Sequence, residues 1–163
     1  MLQRVTDTYV SWFEANFNLA LPAETPKRYL SAMREMLSGY DMDPAEILST
    51  TFEEGGSEVV RARGIHFASL CEHHLLPFVG SVIIEYQPNH GRVVGLSKLA
   101  RLVECFAKRL QLQERMTGQI ADAMVEYLNP ASVVVHVTAR HGCIECRGVR
   151  QASIKVTTTA LRG

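Results

Sequence analysis

Net charge is the first thing this chain lacks. Seventeen Lys and Arg balance 17 Asp and Glu, so the formal charge is zero over 163 residues. No global field draws in nucleic acid or an anionic membrane, and any anion must be met by a local cluster. Long apolar runs are missing too. The amino-terminal stretch MLQRVTDTYVSWFE lacks the uninterrupted apolar core of a secretory signal. No stretch approaches the ~20 residues of a membrane span. Cysteine is sparse, at four; without a secretion signal, four favour a reducing compartment and metal or catalytic duty over disulfides. There is no internal repeat, low-complexity tract or linker. What is present, 47% hydrophobic and 21% charged residues, is ordinary for a soluble fold with a real core. The expectation is one cytoplasmic domain over residues 1–163, about the usual ~100–200 residues per domain.

Periodicity divides that domain into a helical amino-terminal segment (1–45) and a body (58–163). Val5, Tyr9, Trp12, Phe13 and Phe17 recur at helical spacing over 3–17. Thr25-Pro26 reads as the N-cap and first residue of a second helix, with Tyr29, Leu30, Met33 and Leu37 on one face and Gly39 near its end. Asp41 to Gly56 is polar and broken, and reads as a loop. Val59-Val60, Ile65–Leu70, Val79–Tyr86 and Val93-Val94 read as strands, with a turn at Pro88-Asn89-His90-Gly91. Ser97 is the expected N-cap of a helix buried through Leu99, Leu102, Val103 and Phe106, with Cys105 in its core. A second helix turns Met116, Ile120, Met124 and Tyr127 inward, and Ser132–Thr138 and Ser153–Thr159 are β-branched strands. Helices, strands, helices, strands in blocks point to an α+β fold with an antiparallel sheet.

The chemistry concentrates in Cys71-Glu72-His73-His74 and His141-Gly142-Cys143. Four polar residues between Phe67–Leu70 and Leu75–Phe78 are hard to explain as packing, although Cys71 alone also reads as a buried thiol. Cys71, His74 and Cys143 supply three zinc ligands, the number of a catalytic site that keeps a position for water, with His73 and His141 left to move protons. A rival stays open. Cys143-Ile144-Glu145-Cys146 is a Cys-x-x-Cys, and Cys71, His74, Cys143 and Cys146 make a Cys3His set suited to a non-catalytic structural zinc module. Ser97, Lys98 and Arg101 share the first turn of a helix, whose N-terminus favours anions; they read as a phosphate seat or as a solvated helix start. Arg147 adds a possible bidentate fork from the metal side. Gln113-Glu114 reads as surface polarity at a helix start or as a guanine anchor, the carboxylate accepting paired N–H bonds. His66, His90 and His136 receive no chemical role.

Together these residues resemble the GTP cyclohydrolase I family. The likeness runs from Glu24-Thr25-Pro26-Lys27-Arg28 through SLCEHHLLPFVG, GLSKLARLVE, RLQLQER and HGCIECRGV to Thr157-Thr158-Thr159. It implies a tunnelling fold, an antiparallel sheet with two antiparallel helices on one side, behind the amino-terminal helical segment. It also implies a homo-oligomer, in this family usually a decamer, with active sites between subunits. By resemblance Cys71, His74 and Cys143 hold zinc, with water as fourth ligand, and water adds to C8 of GTP. His141 serves N7 and the ring oxygen with His73 assisting; Gln113 and Glu114 anchor the guanine; Lys98, Arg101 and Arg147 bind triphosphate; and Ser97 sits near the ribose. Formate leaves and 7,8-dihydroneopterin triphosphate forms, a first step of tetrahydrofolate, biopterin or deazapurine biosynthesis.

Four departures from the family pattern stand out. Gly142 fills a position usually held by a larger apolar residue. Cys146 stands where methionine is common, and the resemblance leaves open that it tunes the zinc or pairs with Cys143. The carboxyl end, Leu161-Arg162-Gly163, lacks the terminal helix many relatives carry, and the amino end is short, which is expected to affect assembly or regulation.

Overall fold

Aromatic residues at helical spacing build α1 (Leu2–Phe17), where Tyr9 meets Phe13 edge-on at 5.0 Å. The ring of Tyr9 also stacks on Tyr29 of α2 (Thr25–Met36), centroids 4.8 Å apart. The Glu24 carbonyl accepts from Arg28 N at 3.0 Å, so the cap of α2 is Glu24, one residue before the expected Thr25, with Pro26 still in the first turn. The computed structural model describes residues 2–163, with side chains from Thr8 onward, so Val5 lies outside the described side chains. α1 and α2 form one compact unit ending at Met36, and Leu37–Gly163 form another.

In the second unit the segment read as a loop is structured. A 3-10 turn (Ser38–Asp41) leads to α3 (Pro44–Leu48) and β1 (Thr51–Glu53). The Asp43 side chain accepts from Ala45 N at 2.8 Å and Pro44 presets the first turn, while Leu48 is fully buried. One five-residue helix anchored by Ile47 and Leu48 is too short for periodicity to reveal.

The sheet follows from alternation. β2 (Val60–Cys71) and β3 (Pro77–Gln87) pair antiparallel with a bulge between Ala62 and Ile65, where Gly64 takes φ +71°. The two strand fragments expected over 59–70 are thus one bulged strand. β4 (Arg92–Val94) pairs with β1. α4 (Leu96–Ala107), the short β5 (Leu110–Gln111), α5 (Gln113–Leu128), β6 (Ser132–His141), α6 (Gly142–Glu145) and β7 (Val156–Arg162) complete the unit. The last strand starts three residues later than its β-branched run suggested. The order is β5-β2-β3-β6-β7; all neighbours are antiparallel except β5, which pairs parallel with Leu70 and Cys71.

Val82, Ile84 and Tyr86 of β3 and Val133, Val135, Val137 and Ala139 of β6 point to one face and are at most 2% exposed. Leu99, Leu102, Val103 and Phe106 of α4 and Met116, Ile120 and Met124 of α5 complete the same core, and Tyr127 packs at its margin. Each fully buried Val, Leu, Ile, Phe or Met among them contributes about 1.5–3 kcal/mol on burial. The short connection at 108–112 turns the chain back, so α4 and α5 run antiparallel. No side chain caps α4: its N-cap is Gly95, whose N–H is taken by Thr50 O, and Ser97 lies inside the first turn instead of capping it. Arg109, unremarked in the sequence, donates to Gly39 O and Cys105 O and so fastens the 3-10 turn to α4.

Candidate active site

Strand register brings the two ligand segments together. Leu70 faces Pro77 across β2 and β3, and Phe78 faces His141 across β3 and β6, so Cys71 and Gly142 leave the sheet at the same end. After Cys71 the chain makes a tight turn: His74 N and Leu75 N both donate to Cys71 O, Cys71 N donates to Leu76 O, and Leu75 sits at φ +54°. That turn returns His74 to Cys71. From the other side α6 folds Cys143 over the strand end. The ligand atoms of Cys71, His74 and Cys143 all lie within 4.8 Å of one another. Cys71 is buried, Cys143 half-buried and His74 exposed, so the group has a wet side.

Two thiols and an imidazole at this separation fit a tetrahedral zinc, whose bonds of about 2.0–2.3 Å ask for little contraction. Burial first, and then neighbouring Cys71, hold the Cys143 thiol above its ordinary value, with Arg147 pulling weakly the other way. Cys146 stays outside the cluster. Its thiol is exposed and donates to Gly142 O at 2.7 Å, which removes support for the four-ligand alternative.

A cavity of about 230 Å³ opens beside the three ligands, lined also by His73, His141, Gln111, Gln113 and Glu114. The His141 ring stacks on Phe78 at 4.8 Å and 2° and shares a 2.8 Å hydrogen bond with Gln113 Oε1. Burial lowers the His141 pKa, while the carboxylates of Glu114 and Glu145 oppose the shift. His73 is exposed beside His74, ring planes at 89°. Glu114 is exposed, whereas Gln113 is 2% exposed. Glu72, left without a role by sequence reasoning, receives a bidentate pair from Arg115 (2.7 and 2.5 Å), tying the ligand turn to the first turn of α5. Hydrogen bonding from Arg115 is the main cause holding the Glu72 carboxyl below its usual range. Gln111 is another feature sequence reasoning passed over. It is 1% exposed and uses Nε2 on Phe106 O and Gln119 Oε1, while its Oε1 has no partner among the described residues.

The expected phosphate seat lies elsewhere. Lys98 and Arg101 line a separate cavity of about 400 Å³ with Asp41, Asp43 and Glu46. Ser97 is exposed in the same first turn of α4. From Ser97 to the end of α4 is ten residue steps, about 15 Å of helix, and the Cys71, His74 and Cys143 cluster lies beyond that end, beside β5. Arg147 is exposed in the turn after α6.

A family model described as GTP cyclohydrolase I matches residues 3–163. GTP cyclohydrolase 1 of Janthinobacterium sp. (strain Marseille) is 53% identical over 143 residues, covering 86% of this chain and 71% of that protein. The Wolinella succinogenes protein of the same name is 51% identical over 141 residues, covering 86% and 75%. Among solved structures, an archaeosine synthase QueF-Like in the apo form superposes with a TM-score of 0.54 at 20% identity, over 65% of this chain and 94% of that one. That last likeness speaks for the fold alone, the tunnelling fold.

Proposed function

The chain belongs to the GTP cyclohydrolase I family and is an enzyme of that activity, and from this premise we propose how its own residues open the imidazole ring of GTP. The observation that carries the reading is the convergence of Cys71, His74 and Cys143 on a cavity that also holds His73, His141 and Glu114. Cys71, His74 and Cys143 would hold a zinc ion, which would supply Lewis acidity and a water activated near neutral pH. Glu114 accepts paired N–H bonds from the guanine edge, which fixes C8 toward the ligands. His141, its ring plane set by Phe78, gives and takes the proton at N7 and then at the ring oxygen, and exposed His73 assists. Water adds at C8, the ring opens, and a second hydrolysis releases formate. Rearrangement and closure give 7,8-dihydroneopterin triphosphate.

The triphosphate falls to Lys98, Arg101 and Arg147, with Ser97 near the ribose. In support of an active site shared between subunits, Lys98 and Arg101 open into a different cavity from the metal ligands of the same chain, a helix length away. A neighbouring copy that presents its α4 start to this metal cavity completes the site. The assembly is a homo-oligomer, a decamer on the family's pattern, working in the cytoplasm. Among the described residues no helix is long and apolar enough to cross a membrane.

The test is direct. Zinc-loaded, assembled protein incubated with GTP is expected to release formate and a pterin that fluoresces after oxidation, and His141→Ala is expected to keep zinc and lose turnover. No formate from fully loaded oligomer overturns the reading.

A further inference from the structure

Gln113 is the one expected guanine contact whose polar atoms are all engaged within the protein. Its Nε2 has two hydrogens and faces three acceptors: Val137 O at 3.0 Å, Val156 O at 3.0 Å and Thr158 Oγ1 at 3.1 Å. Two of these are main-chain carbonyls, which accept and never donate. Turning the amide over would set Oε1 against both, so the amide has a single acceptable orientation. A second layer holds it: Thr117 Oγ1 donates to the Gln113 carbonyl at 2.7 Å and lies 2.6 Å from Thr158 Oγ1. Oε1 is thereby aimed at His141 Nε2, 2.8 Å away. A carbonyl oxygen there requires Nε2 to carry a hydrogen.

We infer that Gln113 is a positioning residue which holds His141 as its Nε2–H tautomer, leaving Nδ1 to exchange protons with the substrate, and that Glu114 alone reads the guanine edge from this helix turn. The inference rests on His141 being the proton carrier of the reading above. Three observations converge on it: Phe78 fixes the plane of the imidazole, Gln113 fixes which nitrogen bears the hydrogen, and strand carbonyls of β6 and β7 fix Gln113. The exposed Glu114 is the neighbour left facing the cavity. Outer partners that orient metal-ligating side chains are typically worth about 10–100-fold in activity, and the same order is expected for a partner that orients a proton carrier.

A double-mutant cycle on the zinc-loaded oligomer tests this. Gln113→Met is expected to lower kcat by about 10–100-fold with KM for GTP within about twofold. In a His141→Ala background the same change is expected to have no further effect on residual turnover, and GTP binding, measured directly on that slow variant, is expected to stay unchanged. Thr158→Val removes one of the three acceptors around Nε2 and leaves the two carbonyls for its two hydrogens, so it is expected to retain more kcat than Gln113→Met; it also carries the comparison should the methionine variant fail to assemble. Weaker GTP binding by tenfold or more in the His141→Ala background makes Gln113 a base contact and overturns the inference. An equal kcat loss in both backgrounds overturns it as well. Full activity in His141→Ala alone defeats the reading of His141 instead, so the two failures are told apart.

Discussion

Replacing Cys146 and Cys143 by serine, one at a time, separates a three-ligand metal centre from a four-ligand one. Structural zinc held by four side chains is worth about 10–16 kcal/mol, or roughly 3 kcal/mol per ligand on even division. Losing the Cys143 thiolate is therefore expected to weaken zinc by about two orders of magnitude, because its sulfur belongs to the cluster spanning no more than 4.8 Å. Cys146 loses only an exposed S–H···O contact to Gly142. The serine hydroxyl reproduces it, and a net hydrogen bond of about 0.5–1.5 kcal/mol limits the change to less than about tenfold. Chelator competition at one pH reads both affinities, and formate release reads turnover: Cys146→Ser keeps both and Cys143→Ser loses both. Zinc loss in Cys146→Ser as large as in Cys143→Ser would refute the reasoning, since Cys146 would then be a fourth ligand.

Other consequences follow from single contacts. Leu48→Ala empties a fully buried site and should cost about 2–5 kcal/mol in reversible denaturation; a surface-like effect would return residues 41–56 to the status of a loop. A Cβ on Gly142 would meet Pro77 O at 2.9 Å, so Gly142→Ala should displace the segment between His141 and Cys143 and lower both kcat and zinc retention, read by kinetics and metal content. The Cys143 thiol sits above its ordinary value and zinc takes the thiolate, so loading releases protons and affinity should strengthen from about pH 6 to 8; chelator competition at each pH checks this, and a flat profile contradicts it. Glu72 is held low by Arg115, so its stabilisation is present above the ordinary carboxylate value and fades as pH falls through the lowered one. Thermal midpoints of Glu72→Gln and the parent should accordingly differ at neutral pH and converge in acid.

Much of the fold was legible from local pattern. The stripe Leu99-Leu102-Val103-Phe106 and the β-branched run from Ser132 carry their periods openly, because each buries one face against a single core. Residues 41–56 were opaque for the opposite reason. Leu48 alone of that segment is fully buried, and one anchor has no period. Gly95 displaced Ser97 as the cap because Thr50, distant in sequence, takes its N–H. Long-range partners of that kind leave no local mark.

The same division runs through the site. Sequence alone singled out Cys71, His74 and Cys143 as candidate ligands, and the fold gathers their donor atoms within 4.8 Å, since donor chemistry is a property of the side chain and spacing shows which residues can share a turn. It left Cys146 open as a fourth ligand beside Cys143, because the path of a short helix decides which thiol joins the cluster and which turns to Gly142 O. Nor could it say what Gln113 does. Whether an amide faces a base or an imidazole depends on which carbonyls claim its hydrogens, and Val137, Val156 and Thr158 come beside Gln113 only when β6 and β7 pair beneath α5. Side-chain chemistry was written locally; its direction was settled by partners that only the folded sheet assembles.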